Sequence, residues 1–415
     1  MPRNHAGLAV RQATWQDIPS LVEFNSMIHG QVDSPSGFDA WTVDLCSGRH
    51  PTTSVDDFTV CIDRASGTLV GAACLIPQTW KFGDATISVG RVELVGTHPQ
   101  FRGRGVVGRV LRNLERRALK RGVCLLGITG LDQFYRKFGY EYGLRFGTPR
   151  ILTTPSGTES RTLSIRPPKL EDLIQIESLL AERAEEVQSI SCVRPKPVSS
   201  WELFDQSVDS PVAFEYRVAE DSSGQVVGIV GFLPKVIGSE LWVGAVASRP
   251  GTDFVDLLQN VDAVLRSTLT DRGGSQVVYR LWADAGHEIA PYSEAVGSPE
   301  AWYFKAINIA ALLESLKSVW SESAAPSRSL TPVVLDFYDD RFSIDLHSGG
   351  IARVDASTKP HLAISRDAFV RLLFGFLSWE EILRASPECR VFDPVRTADL
   401  VNRLGAFQVR LEPIG

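Results

Sequence analysis

The 415-residue chain has no apolar run near the roughly 18 residues that a bilayer-crossing helix requires. Its start, Met1 to Val10, is polar and charged where a secretion signal needs an apolar core. No membrane partner is expected on this pattern, and a cytoplasmic setting is. The six cysteines (Cys46, Cys61, Cys74, Cys124, Cys192, Cys389) form no CxxC pair and the seven histidines no HxxxH or HExxH, so neither a metal site nor a disulfide framework is expected. GxxxxGK[ST] is missing, which argues against a P-loop. No nucleic-acid partner is expected.

What is present is ordinary globular composition, 44% hydrophobic and 22% charged, on a chain longer than the roughly 100 to 200 residues of one domain. The net charge of -6 hides an asymmetry. Residues 1–150 hold 18 Lys/Arg against 13 Asp/Glu, the remainder 25 against 36. A basic first third suits an anionic ligand and an acidic remainder a cationic one, although solvated surface accounts for both equally well.

Two small, polar, Pro-bearing stretches, Thr153 to Thr162 and Ser321 to Ser329, read as linkers. They divide the chain into residues 1–152, 163–320 and 330–415. In the first, strand-like runs at Leu8 to Arg11, Phe58 to Asp63, Leu69 to Ile76 and Ile87 to Val95 precede a helix over 106–121, whose Val107, Val110, Leu111, Leu114 and Ala118 share one face. A buried strand, Val123 to Ile128, and a short helix, Leu131 to Phe138, follow. The second segment repeats this order faintly and reads as a diverged duplicate. The third alternates short strands with helical runs, as a small α+β domain does.

The informative passage runs from Arg91 to Tyr142. Gln100-Phe101-Arg102-Gly103-Arg104-Gly105 fits Q/R-x-x-G-x-G/A between a strand and a helix. Glycines let the backbone curl closely, and N–H groups at a helix start attract anions, so a pyrophosphate is the natural guest. About thirty residues on stands Phe134-Tyr135-Arg136-Lys137-Phe138-Gly139-Tyr140. Together the two motifs resemble the Gcn5-related N-acetyltransferase superfamily. The whole layout resembles its enhanced-intracellular-survival (Eis-like) family, with one active acetyltransferase domain, a second degenerate one and a C-terminal domain similar to sterol carrier proteins. The fold this implies is α+β, two tandem mixed-sheet domains plus a small third one.

The resemblance implies acetyl-CoA as co-substrate, with no metal, and a small-molecule amine acceptor: polyamine-like, aminoglycoside-like or a lysine. Val95, Gly96 and Thr97 would pair with the pantetheine arm, the loop Gly103, Arg104, Gly105, Val106, Val107 and Gly108 would hold the pyrophosphate, and Gly130 and Leu131 would complete the site. Arg102 and Arg109 would help with phosphates, whereas Arg112, Arg116 and Lys120 read as a solvated face. The resemblance also implies a homo-oligomer, a hexamer. Tyr135 would protonate the leaving thiolate. An amine of pKa about 10.4 is roughly 0.04% neutral at pH 7, a handicap of about 4.6 kcal/mol, so a base is also sought. The family uses its terminal carboxylate, typically on an aromatic residue, but this chain ends Leu411-Glu412-Pro413-Ile414-Gly415. Glu93, on the same strand face as Val95, is an alternative that pairs equally well with Arg91, and His29 lies where acceptor pockets are built or simply on the surface. Two rivals remain at this level: a lipid carrier using Phe369, Leu372, Leu373, Phe376, Leu377 and Trp379, and an acyl-CoA sensor without turnover.

Overall fold

Runs rich in Val, Ile, Thr and aromatic residues form the strands of three mixed sheets. The computed structural model describes residues 7–30, 37–131, 133–145, 147–153, 163–185, 189–281, 289–298, 300–321, 332–404 and 408–409. Both expected linkers fall largely outside this range.

The first part of the chain supplies β1 (Leu8–Gln12), α1 (Ile18–His29), α2 (Phe38–Cys46), β2 (Phe58–Asp63), β3 (Leu69–Phe82), β4 (Ala85–Thr97), α3 (Val106–Lys120), β5 (Leu125–Ile128) and β6 (Glu141–Arg145). Strands β1 to β4 pair antiparallel in succession, and β5 joins β4 in parallel after the α3 crossover. Helix α3 buries Val110, Leu111, Leu114 and Ala118 of the apolar stripe read from the sequence, with Val107 half-buried. Its first turn sits hard on β3, where a methyl on Gly71 would stand 2.3 Å from Val106 Cγ1. The expected helix over 131–138 is instead a single 3-10 turn, Tyr135–Phe138, ended by Gly139 at φ 82°.

The second part supplies β7 (Arg150–Leu152), β8 (Ser164–Arg166), α4 (Leu173–Glu185), β9 (Ser189–Val193), α5 (Lys196–Ser200), β10 (Glu215–Glu220), β11 (Val226–Phe232), β12 (Glu240–Ser248), α6 (Phe254–Asp271), β13 (Gln276–Tyr279), β14 (Ser293–Ala295) and β15 (Ala301–Ala306). Its sheet runs β8-β10-β11-β12-β13-β7-β14, and the first sheet runs β1-β2-β3-β4-β5-β15-β6. The two orders correspond strand for strand, with a helix crossover to a parallel strand in each (α3 into β5, α6 into β13). The sixth strand is exchanged: β15 inserts between β5 and β6, while β7 inserts between β13 and β14. This is an α+β fold with two tandem acetyltransferase-type sheets, tied by reciprocal strand exchange.

The third sheet comprises β16 (Val333–Asp336), β17 (Arg341–Ile344), β18 (Ile351–Arg353), β19 (Leu362–Ala363) and β20 (Arg390–Val391), while β21 (Gln408–Val409) joins β9 on the edge of the first. This part shares a core with the first sheet. Phe374 stacks on Phe304 of β15 at 4.1 Å and meets Trp80 and Phe82 of β3 edge-on. Arg371 and Arg136 both pair with buried Glu141 on β6, at 2.7 and 2.9 Å. Phe369, Leu372 and Leu373 are buried in this cluster, and Phe376 stacks on Tyr142. The apolar residues that a lipid carrier would need around a tunnel are thus engaged in packing.

Candidate active site

The site begins with a defect in β4. Pairing with β3 steps from Glu93↔Cys74 to Gly96↔Ala72, so Leu94 and Val95 share one partner, and Leu94 takes φ 52°. Such a bulge bends its strand. Parallel pairing with β5 stops at Arg91↔Gly127, although β4 continues to Thr97. Beyond Arg91 the two strands therefore diverge, and the edge of β4 faces a cleft of about 940 Å³. Glu93, Val95, Gly96 and Thr97 all line it. Thr97 Oγ1 is buried without a hydrogen-bond partner, an orphan that a polar ligand would satisfy.

At one end of the cleft lies the glycine loop. Gly103 and Gly105 have φ of 73° and 75°, a region L side chains avoid, and added methyls would meet nothing, so conformation rather than space demands glycine there. Helix α3 starts at Gly105 with no side-chain cap. The counterpart helix α6 differs: the Asp253 carboxylate accepts from the N–H groups of Val255 and Asp256 and occupies the helix start itself. An anion is thus invited at α3 and displaced at α6. Gly103, Gly105, Val106, Val107 and Gly108 line the cleft; Arg104 does not, its guanidinium lying 4.7 Å from the Phe101 ring centre. Arg102 lines it, and so does Arg112, whose side chain is exposed as expected for a solvated face. Arg112 stands one turn above Gly108, whose missing side chain leaves room beside it. Arg109 is not among the lining residues, whereas Lys137, over the Phe134 ring at 3.7 Å, is.

Gly130, Leu131 and Tyr135 also line the cleft. The Tyr135 ring packs edge-on against Phe134, Tyr140 and Tyr303 and is 6% exposed. Burial pushes its phenol well above the usual value, with the Glu93 charge and Tyr303 adding to the effect, so it is protonated at neutral pH. The Glu93 carboxylate accepts from Arg91 Nε at 2.7 Å. His29 also lines the cleft; burial lowers its pKa against an opposing hydrogen bond to the Leu94 backbone, and its Nε2 is buried with no hydrogen-bond partner. It is therefore neutral at pH 7. The terminal carboxylate of Gly415 lies outside the described residues.

Sequence reasoning missed three parts of the site. Helix α2 contributes Phe38 and Trp41; an apolar pair three apart was the available signal. Lys137 was hidden within the motif itself. Tyr303 comes from the exchanged strand β15: its hydroxyl accepts from the Gln133 N–H at 3.0 Å and donates to Tyr142 Oη at 2.9 Å, steadying the turn that carries Tyr135. No sequence signal places it there. Every described lining residue lies between Ile28 and Phe138, so among the described residues the second and third parts do not line the cleft. Among the described residues no group of three or more His, Cys, Asp or Glu is placed to hold a metal, and no helix is long and apolar enough to cross a membrane.

Residues 9–143 match the family described as acetyltransferase (GNAT) domain. No curated protein matches the chain in sequence. Among solved structures, a GCN5-related N-acetyltransferase from Anabaena variabilis is similar at 13% identity over 97% of both chains, with a TM-score of 0.69. One from Kribbella flavida is similar at 16% identity over 97% of both, TM-score 0.68. Eis1 from Mycobacterium abscessus is similar at 16% identity over 96% of both, TM-score 0.59. These likenesses extend the shared fold across the whole chain. The domain match makes the protein an N-acetyltransferase.

Proposed function

We propose that the protein binds acetyl-CoA along the open edge of β4 and transfers its acetyl group directly to an amine. The observation that carries this reading is the meeting, in one cleft, of an uncapped helix start, an unpaired strand edge and a phenol held protonated. The helix start and Gly103 to Gly108 cradle the pyrophosphate, with Arg102, Arg112 and Lys137 supplying positive charge. Val95, Gly96 and Thr97 pair with the pantetheine arm as a sheet edge pairs with an added strand, Gly130 and Leu131 complete the site, and N–H groups near Leu94 and Val95 polarise the thioester carbonyl.

The neutral amine attacks the carbonyl carbon: the C–N bond forms, the C–S bond breaks, one proton leaves nitrogen and one reaches sulfur. Tyr135 delivers the proton to the thiolate. Glu93 accepts the amine proton directly or through water; the Gly415 carboxylate is the other candidate base. Residues 1–152 form the catalytic domain in this reading, 163–320 a degenerate duplicate and 330–415 a sterol-carrier-like support, in a cytoplasmic homo-oligomer, a hexamer by resemblance. Charge at the scale of the chain favours a polyamine, an aminoglycoside or lysine as acceptor.

Calorimetric titration with acetyl-CoA and an assay of thiol release test the reading. Tyr135→Phe is expected to lower kcat by about 10²-fold, within the usual range for a general acid, with acetyl-CoA affinity nearly unchanged. Unchanged kcat would remove Tyr135 from the chemistry, and absence of acetyl-CoA binding would end the proposal.

A further inference from the structure

Tyr135 stands on a single 3-10 turn, Tyr135–Phe138, and so short an element has little stability of its own. Its fixity comes from outside. Arg136, the next residue, donates from Nη1 to Gln133 Oε1 at 3.1 Å and from Nε and Nη2 to Glu141 Oε2 at 3.1 and 2.9 Å. Arg136 is nevertheless 44% exposed, and an ion pair at that exposure contributes little by itself. Glu141 is fixed from the other side. Arg371, on helix Arg366–Leu373 of the third part, donates to the same oxygen at 2.7 Å, and the Tyr142 N–H donates to Oε1 at 3.0 Å. A second route runs through rings. Tyr142 lies between Tyr303, at 4.4 Å, and Phe376 of the third part, at 5.5 Å and 10° from parallel. Its hydroxyl accepts from Tyr303 and from Gln133 Nε2, and the Tyr303 hydroxyl accepts from the Gln133 N–H. Both routes converge on the residues flanking Tyr135.

We infer that the third part of the chain sets the position of Tyr135, with Arg371 acting through Glu141 and Arg136, and Phe376 through Tyr142; the inference rests on the acid role given to Tyr135 above. Among the described residues, Arg371 and Phe376 do not line the cleft, so each is a positioning residue. Proton delivery requires the phenol within hydrogen-bond reach of the sulfur, and misplacing a reacting group by about 1 Å lowers the rate by up to about 10²-fold. Buried charge makes the first route stiff. The Glu141 and Arg371 side chains are 6% and 17% exposed, so loss of Arg371 leaves a buried carboxylate that draws Arg136 inward or admits water, and either shifts the turn. The carrier is held by the glycine loop and the edge of β4, which are other elements. The effect therefore belongs to kcat rather than to acetyl-CoA affinity.

The test is a double-mutant cycle on the full chain, in which thiol release with spermidine, kanamycin or lysine gives kcat and calorimetry gives acetyl-CoA affinity. Arg371→Ala is expected to lower kcat at least fivefold with acetyl-CoA affinity within threefold, and Arg371→Lys to recover at least half of the loss. In Tyr135→Phe enzyme the same Arg371→Ala change is expected to alter kcat less than twofold, because no acid is left to misplace. Phe376→Leu spares the buried ion pair and serves where Arg371→Ala fails to fold. It is expected to lower kcat about threefold in the native background and less than twofold in Tyr135→Phe enzyme. Hydrogen exchange gives a reading independent of the acceptor: in Phe376→Leu protein the amides of residues 133–140 are expected to exchange at least fivefold faster, and those of α3 less than twofold. An equal factor lost in both backgrounds, kcat unmoved by either substitution, or exchange unmoved at residues 133–140 would each overturn this inference alone. Absence of acetyl-CoA binding, or kcat unmoved by Tyr135→Phe, would instead overturn the reading beneath it.

Discussion

Gly96 and Gly105 both line the cleft, yet each is glycine for a different reason, and the difference is measurable. A methyl on Gly96 would stand 2.8 Å from Phe24 Cε1 and 3.1 Å from Ile28 Cγ2, so α1 must move to admit it. At Gly105 the methyl meets nothing, but φ 75° costs an L residue about 1–2 kcal/mol. Gly96→Ala is therefore expected to lose about 1–3 kcal/mol of stability through overpacking, seen as a lower urea midpoint. Gly105→Ala relieves its strain by distorting the loop, so it is expected to weaken acetyl-CoA binding about tenfold or more with a smaller change in midpoint. Equal effects of the two on stability and affinity would contradict this division. Loop glycines were legible in the sequence, because a Gly-x-Gly before an amphipathic helix announces positive φ. The Gly96 contact was not, since it depends on a helix more than sixty residues away.

Among elements, α3 and β15 mark the limits of what spacing conveys. Helix α3 follows its apolar stripe almost residue for residue, because 3.6-residue periodicity is a local property. Strand β15 carries no sign of its destination, yet it lies between β5 and β6 and brings Tyr303 beneath the Tyr135 turn. Tyr303→Phe removes the acceptor for the Gln133 N–H and is expected to cost about 1 kcal/mol. It is also expected to lower kcat severalfold while acetyl-CoA affinity stays within twofold, as befits a residue that positions Tyr135. A purely structural role for Tyr303 would lower stability and leave kcat unchanged.

For the molecule as a whole, exchange of β7 and β15 and the shared third-segment core bind the parts into one unit. The Arg371–Glu141 pair stands between them, with side chains 17% and 6% exposed. Arg371→Ala leaves Glu141 its pairing with the more exposed Arg136 and the hydrogen bond from the Tyr142 N–H, and is expected to cost about 3 kcal/mol. Removal of residues 330–415 would expose the face bearing Trp80, Phe82 and Phe304, all fully buried in the intact chain. Calorimetry of the full chain is expected to give a single endotherm, shifted downward as a whole by Arg371→Ala. Separate transitions, with only one moved by the substitution, would show that the parts fold independently.

From the sequence alone came the class of fold, the glycine loop before a helix, the position of Tyr135 and the alternative roles of Glu93. Each depends on residues near one another along the chain, where periodicity and turn chemistry act directly. Tertiary structure decided the exchange of strands, the placing of Arg112 and Lys137 beside the loop, the burial of the Tyr135 ring, and the aromatic wall from α2. Those follow from distant segments packing together, a matter of which apolar faces find each other, and residue order does not display it.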